Sequence, residues 1–460
     1  MKALIFTAVF GIFLMISGLF IKNKSIIRTL AVLGILAAFV LNLFDFPLYG
    51  VQATELFHGM LSVTRFGVLF IEVVLGCVVL YLLLSGRDIV KIGLYTGEYF
   101  ALIFFILCGI VVAATYGNLL MLFLAIEIMS IPQYILAGAD KHNLRSNEAS
   151  LKYFLMGAFS TGFLLMGITL LYGATGTFSI TEMNLAGSPL DPMALAGIIL
   201  IAFALSFKVS AAPFHFWTPD VYDGAPTAIT SFISTIVKVG GFVAFIRLFH
   251  IAFGNPAING HWTLVLSVIT AATLIIGNIT AVFQQSVKRM LAYSSISQAG
   301  FMLFAVIAMN VLSWQGILLY AAAYSLATIG CFAILMKMKD YTYDGYNGLA
   351  KKQPLLALLN TIFLFSLVGI PATAGFLAKY FVLSAAVEKG GLLWLVILAV
   401  CCAAISAFYY FRLIWAMYFK EGDCEVEEKE ITTGFKGVLV VTALLVIVLG
   451  IWPGLVLAWI

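Results

Sequence analysis

Apolar residues fall in long, unbroken runs along this chain, and the polar positions gather between them. The runs cover residues 2–21, 26–46, 66–86, 98–116, 117–139, 149–173, 192–214, 219–252, 261–283, 289–310, 314–337, 354–387, 391–419 and 435–459, fourteen in all. About 20 apolar residues is the length that crosses a hydrocarbon core of about 30 Å as an α-helix. Barrel strands would alternate apolar and polar residues over about 10 positions. These runs do not alternate, so the pattern predicts helices. Two runs, 219–252 and 354–387, each number 34 residues. As straight helices they would reach about 51 Å, too long for one crossing. Gly224 and Pro226 interrupt the first, and Gly369, Pro371 and Gly375 the second. Each is therefore expected to be a discontinuous helix. Such breaks survive in a bilayer only where protein or a watery cavity satisfies the freed backbone groups.

Composition agrees. Of 460 residues, 63% are hydrophobic and 10% charged, with a mean hydropathy of +1.10. Soluble domains carry about 25% charged residues. A soluble enzyme, a nucleic-acid binder and a disordered chain are all excluded, which leaves an all-α polytopic membrane protein in contact with the lipid bilayer. Net charge is only +4 and points to no partner. Cys77, Cys108, Cys331, Cys401, Cys402 and Cys424 form no C-x-x-C pair and read as small apolar filler. Residues 1–21 have a weak basic start, no cleavage signal and a second span directly after them, so they read as the first helix. With the N-terminus outside, sixteen Lys and Arg fall in inner loops and four (Lys2, Arg65, Arg247 and Lys389) on the outer side. That bias predicts an even helix count with both termini outside.

The remaining basic residues lie inside spans: Lys152, Lys208, Lys238, Lys379 and Arg412. Glu127 and Glu72 are embedded as well. A charge at the bilayer centre costs about 2.5–3.5 kcal/mol on insertion scales, so each needs a reason. Arg412, near an inner end, is explained by snorkelling. Lys208, Lys238, Lys379 and Glu127 lie deeper, and Lys152 nearer an end. A poorly solvated lysine has its ammonium form disfavoured and can exchange protons near neutrality, and a nearby carboxylate restores the charged form. A row of such sites joined by water is a proton path. His215 lies in Ala212-Pro213-Phe214-His215-Phe216-Trp217, expected to join the Lys208 and Lys238 spans on the inner side, where it could load protons. Asp220 reads as a helix N-cap. No Ser/His/Asp signature, metal-spaced cluster, G-x-G-x-x-G or P-loop is apparent. No metal or cofactor is expected in this chain.

Phe207 to Thr227 reads F-K-V-S-A-A-P-F-H-F-W-T-P-D-V-Y-D-G-A-P-T, with Lys238 thirty residues after Lys208. Further blocks are Glu127 with Met129, Ser130 and Pro132; Lys288-Arg289-Met290-Leu291-Ala292-Tyr293-Ser294-Ser295-Ile296-Ser297; and Gly369-Ile370-Pro371, Gly375-Phe376 and Lys379-Tyr380. Together they resemble the antiporter-like membrane subunits of respiratory complex I, the NADH–quinone oxidoreductase. The ending Val221–Thr227 is similar to the subunit N branch. The resemblance implies fourteen helices with two inverted five-helix repeats, each holding one broken helix. The units would be residues 1–97, 98–252, 261–419 and 420–460. It implies that Glu127 pairs with and gates Lys208, that Lys238 is a central relay and Lys379 the outer one, and that Lys152 is an additional lysine of the Glu127 unit.

It further implies a proton-translocating, non-redox subunit of a bacterial inner-membrane complex. Other membrane subunits of complex I would be obligate partners. NADH, flavin, iron–sulfur clusters and quinone would belong to partner subunits. A related subunit of a membrane hydrogenase or multisubunit Na⁺/H⁺ antiporter is the alternative. Three positions depart from the family pattern. Gln298 stands where a histidine is usual, Ala372 follows Pro371 where a second proline is common, and Val63-Thr64-Arg65-Phe66 lacks the acidic residue common before helix 3.

Overall fold

The structure, a computed structural model, describes residues 1–45, 54–93, 95–183, 185 and 191–459. Its helices are α1 (Lys2–Phe20), α2 (Lys24–Asp45), α3 (Arg65–Ile92), α4 (Thr96–Thr115), α5 (Leu119–Ala137), α6 (Leu144–Thr175), α7 (Pro192–Lys208), α8 (Trp217–Gly224), α9 (Thr227–Phe232), α10 (Lys238–Ile251), α11 (Pro256–Val282), α12 (Val287–Ala308), α13 (Val311–Leu335), α14 (Leu349–Lys352), α15 (Pro354–Val368), α16 (Ala374–Lys389), α17 (Leu393–Tyr418), α18 (Thr433–Ile451) and α19 (Gly454–Leu457). A small antiparallel hairpin, β1 (Thr54–Leu56) and β2 (Leu61–Val63), precedes α3. Polar residues close the helix ends where loops turn back. Thr64 accepts from the Gly67 amide, Asn118 from Met121, and Asp191 from Met193 with Pro192 in the first turn.

Among the described residues, twelve helical segments are long and apolar enough to cross a membrane unaided. Two further crossings are assembled from shorter helices, α7 with α8 and α15 with α16. The total of fourteen matches the apolar runs. The crossing α9–α10 and helices α12 and α13 are wrapped by protein almost completely, whereas α1, α2, α6, α17 and α18 turn Leu, Ile and Phe outward. This division places the polar chemistry in a protein-lined centre with an apolar exterior.

The second break lies where Gly369 and Pro371 predict it, between α15 and α16. Gly369 sits at φ 91 and Ala372 at φ 68. A proline ring fixes φ near −65°, so a second proline could not occupy position 372 in this turn.

The first break is displaced from its expected place. Gly224 and Pro226 do not interrupt one crossing. They form the corner between α8 and α9, which belong to two different crossings. The interruption lies earlier, at residues 209–216, and splits 192–224 into α7 and α8. Only Ala225 and Pro226 separate α8 from α9, too short a gap to interrupt the apolar run. The crossing from Thr227 to Ile251 is continuous, but a π-helical turn at Ile233–Val237 interrupts its α-geometry and ends at Lys238.

One ion-pair network ties the lysine-rich face together. Lys337, 1% exposed, donates to both Asp88 carboxylate oxygens at 2.9 and 2.8 Å and to Glu430 at 3.1 Å. Lys91 also binds Glu430. Burial raises the Glu430 carboxyl, but hydrogen bonds from Lys91 and Lys337 outweigh it and hold the group down at about 2. A depressed carboxyl stabilises the fold above its ordinary value of 4.5 and loses that contribution as pH falls toward about 2. The 425–430 segment should therefore stay fastened at neutral pH and loosen in that acidic window. Glu430→Gln should loosen it already at neutral pH and remove the titration. Amide hydrogen exchange of the segment reads this, and equal protection in both proteins at every pH would rule it out.

Candidate functional site

Two of the embedded charges, Glu127 and Lys208, gather where α5, α6 and α7 meet. Glu127 and Ser130 lie one turn apart on α5. Pro132 has no N–H and so leaves the Ile128 carbonyl without its usual helical partner. The Glu127 carboxylate accepts from Thr161 Oγ1 of α6 at 2.7 Å. Lys208 is the last residue of α7, where the helix dipole favours a cation. Its Nζ donates to Ser130 Oγ at 2.8 Å, and Ser130 donates on to the Ile126 carbonyl at 2.6 Å. A cavity of about 10 Å³ separates these groups, near the lower limit for one water. Glu127 and Lys208 thus each bond a hydroxyl that lines this cavity, Thr161 for the carboxylate and Ser130 for the ammonium. No direct ion pair joins them among the described residues.

Lys238 follows the π-helical turn and is 1% exposed. Its Nζ donates to the Ser295 carbonyl at 2.8 Å and the Ser295 hydroxyl at 2.6 Å, and faces the Tyr222 ring at 5.9 Å. No carboxylate pairs with it among the described residues. A Cβ on Gly241 would stand 3.3 Å from Lys208 Cγ, so the Lys208 stem lies against the Lys238 helix within one turn of Lys238. Buried atoms around these lysines have unused hydrogen-bonding capacity: Ser206 Oγ, Ser210 Oγ, Thr218 Oγ1, Tyr222 Oη, His215 Nδ1 and Ser297 Oγ. Groups of this kind in a protein interior hold bridging water.

From Lys238 the polar chain continues through α12. Ser294, next to Ser295, bonds the Tyr410 hydroxyl. Tyr410 accepts from Gln298 Nε2 at 3.4 Å, and Tyr320 donates to Gln298 Oε1. Gln298 Nε2 also donates to the Leu367 carbonyl at 2.9 Å. Lys379 donates to that same carbonyl and to Val368, both at 2.8 Å. These carbonyls end α15, where the helix leaves acceptors unpaired and its dipole favours a cation. Lys379 also lies over the Phe301 ring at 4.7 Å. In both broken crossings an ammonium group therefore belongs to the C-terminal end of the first half-helix.

Lys152 is elsewhere. It pairs with Glu148 and Asp220, each at 2.8 Å, and is 42% exposed. It lies on the first turns of α6, at the level of α8, and Arg289 completes the cluster through Asp220 at 3.2 Å. It does not join Glu127. Asp220 does not cap α8, which begins three residues earlier. His215 is not in an inner loop. It is buried within the 209–216 break, 5% exposed, because α7 and α8 belong to one crossing. Glu72 accepts from Asn42 at 2.7 Å, away from the lysine row. Arg412 reaches the Gln284 carbonyl at 3.2 Å and lies over Tyr343, as a snorkelling arginine would. Residues the sequence reading did not single out are Tyr320 and Tyr410. A hydroxyl in an apolar run breaks no charge pattern.

Residues 117–406 match the family described as NADH:quinone oxidoreductase/Mrp antiporter, TM. The chain is 38% identical to NADH-quinone oxidoreductase subunit N of Trichlorobacter lovleyi, over 98% of this chain and 93% of that one. It is 37% identical to subunit N of Cytophaga hutchinsonii, over 99% of both. Among solved structures it is similar to a chain of respiratory complex I from Thermus thermophilus with bound aureothin. The TM-score is 0.85 at 30% identity, covering 99% of this chain and 98% of that one.

Proposed function

The chain belongs to the NADH:quinone oxidoreductase/Mrp antiporter membrane family, and from that premise we propose that it carries protons across the membrane as a non-redox subunit of a quinone-reducing complex. The observation that carries this reading is the buried polar chain from Lys238 through Ser295, Ser294, Tyr410 and Gln298 to Lys379. A relay needs groups that hold a proton and groups that pass it on. Lysines supply the first, hydroxyls and bridging water the second. Glu127 and Lys208 form the loading pair. Their separation by Ser130 and Thr161 lets a small movement of α5 against α7 change how strongly the carboxylate holds the ammonium form. Lys238 receives the proton and Lys379 delivers it toward the opposite face. Gln298 does not titrate; it orients Tyr410 and the Leu367 carbonyl, and the proton passes by hydroxyl and water.

The energy enters from electron transfer in partner subunits, where NADH, flavin, iron–sulfur clusters and quinone bind. Other membrane subunits flank this chain as obligate partners. The lysine-rich face is the cytoplasmic one, with both termini outside a bacterial inner membrane. Glu127→Gln tests the loading pair. A positioned proton-transfer partner contributes about 10²-fold to its step, so pumping should fall about 10²-fold in the assembled complex. Lys208→Ala should lower it at least as far. Unchanged proton-to-electron stoichiometry in both variants would refute the proposal.

A further inference from the structure

On the lysine-rich face, a cleft of about 280 Å³ opens between α2, α3 and α18. Arg28 from α2 and Arg87 from α3 both line it. Neither guanidinium has a carboxylate partner among the described residues. Arg87 makes a 3.4 Å hydrogen bond to Thr432 Oγ1. The Arg28 stem packs on Gly86, so the two like charges sit side by side. The nearest acids are committed elsewhere, Asp88 and Glu430 to Lys337 and Lys91. Glu430 and Lys337 also line the cleft but are paired with each other, so the two guanidiniums leave it a net positive charge.

The lining changes one helical turn deeper. Val32 lies four residues after Arg28, Leu83 four before Arg87, and Val438 four after Gly434. Residues four apart share a helix face. All three helices thus present a polar or small position at the membrane boundary and an aliphatic one beneath it. Leu83 is 43% exposed there. Charge above and an aliphatic groove below complement a phosphate headgroup with its acyl chain. Guanidinium forks match phosphate oxygens in pairs, and basic pockets between transmembrane helices bind anionic headgroups.

We propose that this cleft binds one anionic phospholipid, its phosphate held between Arg28 and Arg87 and an acyl chain along Val32, Leu83 and Val438. The site is independent of the proton relay. The test uses the whole purified complex, as wild type, as an Arg28→Gln/Arg87→Gln double variant and as an Arg28→Lys/Arg87→Lys variant. Native mass spectrometry counts retained lipids, and thermal denaturation is followed in nanodiscs of phosphatidylglycerol or phosphatidylcholine. Wild type should retain one more anionic lipid than the glutamine variant and be stabilised by phosphatidylglycerol above phosphatidylcholine. The lysine variant should keep the lipid at least fivefold more weakly. In lipid-free detergent the glutamine variant should melt no lower than wild type, since it relieves a repulsion. Equal lipid counts, or equal protection by phosphatidylcholine, would overturn the proposal. So would equal protection by inorganic phosphate in detergent, or loss of a neighbouring subunit from the glutamine variant in place of lipid.

Discussion

Lys238→Met should stop proton transfer through this chain while leaving the complex assembled. A positioned proton-transfer group contributes about 10²-fold or more to its step, so coupled pumping should fall by at least about 10²-fold. The fold should survive, and the energetics say why. The ammonium donates two charge-assisted hydrogen bonds to Ser295, worth about 1.5–3 kcal/mol each. Against them stands the cost of a charge at the bilayer centre, about 2.5–3.5 kcal/mol. The balance lies within about 3.5 kcal/mol, and no paired carboxylate is left stranded by the change. Methionine is also close in length and apolar, so the helix keeps its packing. Lys238→Arg separates charge from proton exchange. Arginine keeps the cation but does not release its proton, so it should be as inactive as methionine. Proton uptake by reconstituted vesicles, set against quinone reduction, measures both. Normal pumping by Lys238→Arg would show that charge alone is needed there and would sink the relay.

The residues that carry this argument were legible for one physical reason. A charge in an apolar run is costly, and Glu127, Lys208, Lys238 and Lys379 stand out against it at a glance. Helix number was legible for the same reason, since lipid demands about 20 apolar residues per crossing. Direction was not legible. The corner at Gly224–Pro226 and the break at 209–216 are both short and carry mostly apolar residues, so hydropathy alone could not tell a reversal from an interruption. That error carried His215 from the interior to a loop. Lys152 was misplaced because a span boundary read from hydropathy ignores the acids on the next helix. Asp220 and Glu148 hold it at the surface. The hydroxyl links were invisible, because Tyr320 and Tyr410 are as apolar in pattern as phenylalanine. Gln298 drew notice through the histidine it replaces, and its carboxamide joins Tyr410 to the carbonyl that binds Lys379.

Gly375→Ala should damage stability and pumping together, in contrast to Lys238→Met. Gly375 begins the second half of the broken crossing, and its amide donates to Ser366 Oγ across the break at 3.1 Å. A Cβ there would stand 1.9 Å from the Ser366 carbonyl oxygen and 2.7 Å from its carbon. Backbone cannot step aside as a side chain can, so α16 must move away from α15. The turn has little room for that movement, since it is backed by α18. A Cβ on Gly450 would meet the Thr373 carbonyl carbon at 2.4 Å, so the two segments are already in close contact. Overpacking of this kind costs about 1–3 kcal/mol. Lys379 lies one turn beyond Gly375 on the same helix, so the displacement also draws its ammonium from the Leu367 and Val368 carbonyls. A fall in thermal stability should therefore accompany loss of coupled pumping. Gly437→Ala is the control. It lies within α18 with nothing within 4 Å of the new methyl group, and should be neutral or slightly stabilising. If Gly375→Ala matched that control in melting temperature and in proton-to-electron ratio, the close approach of the half-helices would not be what positions Lys379.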